Sequence, residues 1–166
     1  MKIAKNLLRL KVDYFLLEKI VGGNPLKIGV FTVLYNEWKL EKVLEYVSKL
    51  GYEAVEIAAW KGSNHIDIDK ILSGGATEFK KTVEKYGLII SGLSNHLEGQ
   101  LVLGPHDEST DEWFKGTPEE KIKYGMERMK KTAMAAAALD VPVVNGFIGS
   151  PTVSYTHLTL PTICSV

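Results

Sequence analysis

Imidazole, carboxamide and indole side chains recur together in three stretches of this sequence. Trp60, Asn64 and His65 lie in AAWKGSNHIDID, Asn95, His96, Gln100, His106, Asp107 and Trp113 in SNHLEGQLVLGPHDESTDEWFKG, and Asn145 in NGFIGSP. Such a set suits a hydroxyl-rich ligand, which needs planar donors and acceptors plus a flat apolar face. Asn95 and His96 are the sharpest candidates. They directly follow an apolar run that reads as a strand, and parallel α/β folds bind ligands at strand carboxyl ends. His65 is open between touching a ligand and capping the short helix that IDID begins. Trp60 and Trp113 more often serve packing than substrate stacking. His106 and Asp107 fit a local turn after GP as well as a site. Glu56 stands inside the apolar run AVEIA. A carboxylate facing into a barrel must be paired or hydrogen-bonded; the alternative is that it faces a helix end.

Other chemistries find little support. His65, His96 and His106 lack the tight spacing of a local zinc motif, and no second Asp, Glu and His cluster follows the last apolar run. No metal ligand is therefore assigned. No G-x-G-x-x-G follows the first strand and no G-x-x-x-x-G-K-[ST] occurs, which removes the usual nucleotide cradles. Lys and Arg number 20 against 20 Asp and Glu, so the net charge of +0 offers no attraction to a phosphate backbone, and nucleic acid is not expected as a partner. The one cysteine, Cys164, gives no disulfide framework, and no apolar run reaches the roughly 18 residues of a membrane span. A cytoplasmic protein without membrane contact is expected.

The elements that must position these residues show in a repeated junction. SKLGYEAVEI, EKYGLIISGL and AALDVPVVNG each pass from an amphipathic segment through Gly51, Gly87 or Asp140 into a short apolar run. Glycine just past a helix takes the left-handed conformation cheaply, Asp tolerates it better than most, and the run that follows reads as a strand buried on both faces. Leu40, Val43, Leu44, Val47 and Leu50 predict the first helix, Phe79, Val83 and Tyr86 the second. Ile122, Met126, Met129, Ala133 and Ala136 predict the third, opened by TPEE with Thr117 as cap and Glu120 completing a capping box. GGATE, from Gly74 to Glu78, reads as a loop between helices. With KIGVFTV as the first strand the order is βαβαβαβ, which implies parallel strands in either an open doubly wound sheet or a (β/α)₈ barrel.

A resemblance selects the barrel. KIGVFTV, LGYEAVEI, WKGSNHIDID, LSNHLEGQLVLGPHDESTDEWFKGTPEEKIKYG and VPVVNGF together resemble the amino-terminal half of a sugar phosphate isomerase/epimerase of the xylose isomerase-like barrel superfamily, over about Leu26 to Pro151. The stretch from Asn95 to Gly116 is the most specific. The resemblance implies a truncated (β/α)₈ TIM barrel with about the first four strands and three helices, and a small-molecule sugar or sugar phosphate as substrate. It implies an enzyme of carbohydrate metabolism that moves a proton next to a carbonyl. It also implies a divalent metal, Mg, Mn or Co, that stabilises the enediolate oxygen. Its metal ligands and catalytic carboxylates belong to the later strands, so none is carried onto this chain, and the chain by itself is expected to be inactive and to bind no metal. Substrate contact is expected from Asn95, His96, Trp60, His65, Asn145 and Glu56.

Both ends read differently from residues 26–152. VSYTHLTLPT, residues 153–162, is what one frame of a common sequencing adapter encodes, and residues 153–166 are expected to be read-through rather than protein. Residues 1–25 are open between an untranslated leader, GGNPL then being a ribosome-binding site, and an amphipathic helix, since Ile3, Leu7, Leu10, Tyr14, Leu17 and Val21 keep a helical rhythm. Four strands of a barrel would leave two unpaired edges, so self-association through them is expected. Two other functions share the frame. A metal-dependent endonuclease uses the same barrel but finds no basic stripe here, and a non-catalytic sugar-binding or interaction module needs no carboxylates.

Overall fold

The computed structural model describes residues 26–104 and 106–149. The expectations for residues 1–25 and 153–166 lie outside them. Four parallel strands, β1 (Gly29–Phe31), β2 (Ala54–Ala58), β3 (Ile89–Ser94) and β4 (Val144–Asn145), form one sheet in the order β1-β2-β3-β4. Three main helices alternate with them: α1 (Leu40–Lys49), α2 (Ala76–Glu84) and α3 (Pro118–Ala138). This is the α/β half-barrel that the sequence predicts. The three junctions behave as expected, with φ of 88° at Gly51, 71° at Gly87 and 55° at Asp140. Each turns the chain from a helix end into the next strand.

One face of the sheet carries the helices. Val55 and Ile57 of β2 and Leu93 of β3 pack with Val43, Leu44 and Val47 of α1, Val83 of α2, and Ala135 and Ala136 of α3. Full burial of each such Val or Leu is worth about 1.5–3 kcal/mol, so this layer dominates the stability. Strand side chains alternate, which puts Phe31, Glu56, Ile89, Ser94, Val143 and Asn145 on the opposite face, the inside of a barrel. Gly92 shares that face: a Cβ there would meet Asn145 Nδ2 at 3.3 Å and the Val143 Cβ at 3.8 Å. The register shifts between Val55 and Glu56, making Ser91 the extra residue of a bulge.

Several expectations need correction. KIGVFTV is a strand only over Gly29–Phe31; Thr32–Tyr35 coils into a 3₁₀ turn. The buried Thr32 Oγ1 accepts from the Ala58 N–H at 3.4 Å, so a side chain takes over where the backbone ladder stops. Leu50 lies past the end of α1 and is exposed, because the turn through Gly51 carries it off the helix face. GGATE is only half loop. Gly74, at φ 110°, makes the kink, and Ala76 already begins α2. β3 is not covered on both faces, since Ile89 keeps 46% of its surface exposed.

The largest correction concerns α3. Its capping box is present, Thr117 Oγ1 accepting from Glu120 N at 3.3 Å and Glu120 Oε2 from Thr117 N at 2.8 Å. Yet Met126, in the middle of the predicted apolar stripe, is 57% exposed, and Ala133 is exposed too. The helix instead buries Lys121, Gly125, Thr132, Ala135 and Ala136. Polar groups upstream in the chain, described below, draw this side inward.

Candidate functional site

An aromatic ring stands at the end of each strand or two residues past it, and the four rings form one chain of contacts. Phe31 closes β1, Trp60 follows β2, His96 follows β3 and Phe147 follows β4. Phe31 meets Trp60 edge to face at a centroid distance of 6.2 Å and His96 at 5.7 Å, and Phe147 lies against His96 at 4.7 Å. These contacts suit the ring quadrupoles. Behind the rings, on the inward face, the Glu56 carboxylate accepts a hydrogen bond from Ser94 Oγ, and Asn145 stands beside Ser94 in the strand register. Three of the expected residues, His96, Trp60 and Glu56, therefore belong to this one wall, with Asn145 at its edge. His96 Nδ1 is buried with no hydrogen-bond partner. A polar atom left so costs free energy that a ligand oxygen reaching it would recover.

Asn95 is placed differently. Its side chain is fully buried and caps the single helical turn His96–Gly99, Oδ1 accepting from Glu98 N at 3.3 Å. Nδ2 donates to Glu98 Oε2 at 2.9 Å and to Thr132 Oγ1 at 3.1 Å. Its amide is spent inside the protein rather than turned to the ring wall. Glu98 in turn accepts from Arg128 Nε at 2.8 Å and from the Tyr124 hydroxyl at 2.7 Å. Burial, then Glu98 itself, pushes the Tyr124 phenol above its usual range, so it stays a donor. This network pulls the polar side of α3 inward and clamps the turn that carries His96.

His65 also stands apart from the rings. It is buried, its Nε2 lies 3.1 Å from the Trp38 carbonyl, and it lines a cavity of about 380 Å³ between α1 and α2. The cap of the following turn is Asp67, whose Oδ1 accepts from Asp69 N at 3.0 Å and Lys70 N at 3.1 Å. Asp107 makes the local turn, accepting from Ser109 N at 2.9 Å; the Ser109 bonds hold its carboxyl below the usual range. That long loop is pinned by the buried Lys121, whose Nζ reaches Asp111 Oδ1 at 2.5 Å, the Asp107 carbonyl at 2.9 Å and Thr110 Oγ1 at 2.9 Å. Among the described residues no three His, Cys, Asp or Glu side chains gather to hold a metal. The donors present do not fit one.

Phe31 and Phe147 were not among the expected site residues. Phe147 carried a signal, an aromatic in the loop NGFIGSP after the last predicted strand, whereas Phe31 sat inside the predicted strand KIGVFTV and becomes strand-terminal only because that strand stops early.

The inward-facing polar row and its aromatic rim lie at the carboxyl ends of the parallel strands, the end at which barrel folds place their ligand sites. The chain belongs to the xylose isomerase-like TIM barrel family, whose sequence description it matches over residues 44–160. It is similar to the fructoselysine 3-epimerase of Escherichia coli O157:H7, with 26% identity over 136 residues, covering 80% of this chain and 46% of that enzyme. Among solved structures it resembles a xylose isomerase domain protein from Planctomyces limnophilus, with TM-score 0.47, 18% identity, and coverage of 82% of this chain and 47% of the other. It also resembles a D-psicose 3-epimerase from Clostridium cellulolyticum H10, solved with D-tagatose, with TM-score 0.42, 21% identity and coverage of 74% and 37%. The chain thus spans less than half the length of each. No helix among the described residues is long and apolar enough to cross a membrane.

Proposed function

We propose that this chain is the amino-terminal part of a cytoplasmic sugar isomerase or epimerase that moves a proton next to a carbonyl, and that these residues supply a substrate wall. The observation that carries the reading is His96 held between Phe31 and Phe147 at the end of β3, in a chain of this family. The name of the similar epimerase supports a carbonyl sugar as substrate class. In this reading the rings cover the C–H face of a sugar, His96 donates to a hydroxyl or carbonyl oxygen, and Glu56, already oriented by Ser94, accepts from a second hydroxyl. The groups that take and return the proton, and the ligands of a divalent metal if the longer protein uses one, come from outside the described residues. The 166-residue chain alone is inactive.

The test is solvent-deuterium exchange. A longer protein containing these residues should incorporate deuterium at the carbon beside the carbonyl of a ketose or its phosphate. His96→Ala should lower its kcat/KM by about 5- to 150-fold, the range that loss of a donor worth about 1–3 kcal/mol gives. Isomerisation without deuterium incorporation would point to hydride transfer and defeat the proton-transfer reading. An unchanged kcat/KM would take His96 out of the site.

A further inference from the structure

We propose that the 166-residue chain pairs with a second copy of itself about one two-fold axis parallel to the strands, so that β4 of each copy lies beside β1 of the other in a closed eight-stranded barrel. This rests on the sheet and not on the enzymatic reading.

Among the described residues, β1 and β4 each pair on one side only. Leu93 N donates to the Val143 carbonyl at 3.0 Å and Asn95 N to the Asn145 carbonyl at 2.8 Å. In a strand the N–H and C=O of one residue point the same way, so Val144 directs both of its groups to the open side. Glu53 N and Ala54 N donate to the Ile28 carbonyl at 2.9 and 3.3 Å, which leaves Gly29 and Phe31 facing outward at the other edge. All four strands run parallel, so a two-fold axis along them brings β4 beside β1 in the same direction, at both seams in one operation. Any arrangement that covers only one seam leaves an edge that keeps recruiting copies.

The inward face supplies the driving force. Ile89 and Val143 stay 46% and 43% exposed there, on the side opposite the helices, and Phe147 is exposed at the rim. Facing copies would cover them with the same residues. β1 has three residues and β4 two, so the seams set alignment while apolar burial supplies most of the stability. Each site would then hold the His96 walls of both copies.

Sedimentation equilibrium of the purified 166-residue chain is the experiment. A single species of twice the 18.4 kDa chain mass is expected. Val144→Pro removes the outward donor without touching the bonds to β3 and should return the mass to 18.4 kDa, with helix content by circular dichroism retained. If that variant fails to fold, Val143→Lys, which changes only an exposed inward-facing side chain, should do the same. Met126→Glu, on the exposed side of α3, should leave the dimer intact. A monomeric unsubstituted chain, open-ended aggregates, or a dimer indifferent to both Val144→Pro and Val143→Lys would each overturn the pairing. So would a dimer lost in Met126→Glu.

Discussion

Asn95 and His96 are neighbours in the chain with opposite environments: one amide is closed inside a buried network, while the next ring reaches the aromatic rim. Asn95→Ala removes a helix cap and leaves Glu98 and Thr132 short of a buried partner. It should cost about 2–4 kcal/mol in urea unfolding, whatever it does to ligand binding. Asp140 is the residue that pays for left-handed backbone at the third junction. Asp140→Gly should raise stability by up to about 1 kcal/mol, and Asp140→Val should lower it, because a branched side chain tolerates that φ worst. Lys80, through its hydrogen bond, holds the Asp140 carboxyl below its usual range, and Lys131 does the same for Asp69. A folded-state pKa lowered in this way adds stability above the unfolded value of about 3.9, and that stability fades as the pH falls through the folded value. Both carboxyls are open to solvent, so the effect is small. The urea midpoint should fall on acidification below about pH 4, and fall less in the Lys80→Met, Lys131→Met double variant.

On α3 the decisive position is Gly125. A Cβ there would lie 2.8 Å from the Leu101 Cβ and 3.0 Å from the Glu98 carbonyl oxygen, contacts that backbone cannot easily relieve. Helix propensity alone favours Gly125→Ala by about 1 kcal/mol. Overpacking should win, giving a net loss of about 1–3 kcal/mol and a lower melting temperature. The helix itself was legible, start included, because a capping box is made by residues three apart. Its rotation was not. Lys121, Tyr124, Arg128 and Thr132 look like a solvated face in sequence, and it is Asn95, Glu98, Asp107, Thr110 and Asp111 in the fold that turn them inward. Periodicity reports where apolar residues recur, whereas the buried side here was chosen by polar partners that lie upstream of the helix altogether. Much the same divides the site. His96 and Trp60 could be found from their place after strands, but that Phe31 and Phe147 close on His96 depends on strand neighbours, which pattern alone does not supply.

For the whole molecule, half of a barrel was readable because each βα unit repeats the same local signals, and the three left-handed junctions mark its lower rim. The donors of the described residues do not converge, so Mg²⁺, Mn²⁺ or Co²⁺ should leave the melting temperature of the 166-residue chain unchanged. A metal-dependent rise, followed by differential scanning calorimetry, would reveal a site elsewhere in the chain. The strand order β1-β2-β3-β4 has a further consequence, for synthesis. Each strand pairs with the one made just before it, so no slot between finished strands has to be held open for a later arrival, as a permuted sheet would require. A nascent chain can add each βα unit to a surface already emerged from the ribosome, and its crossovers bring together only neighbouring units. The order of translation is then also the order in which the sheet can grow.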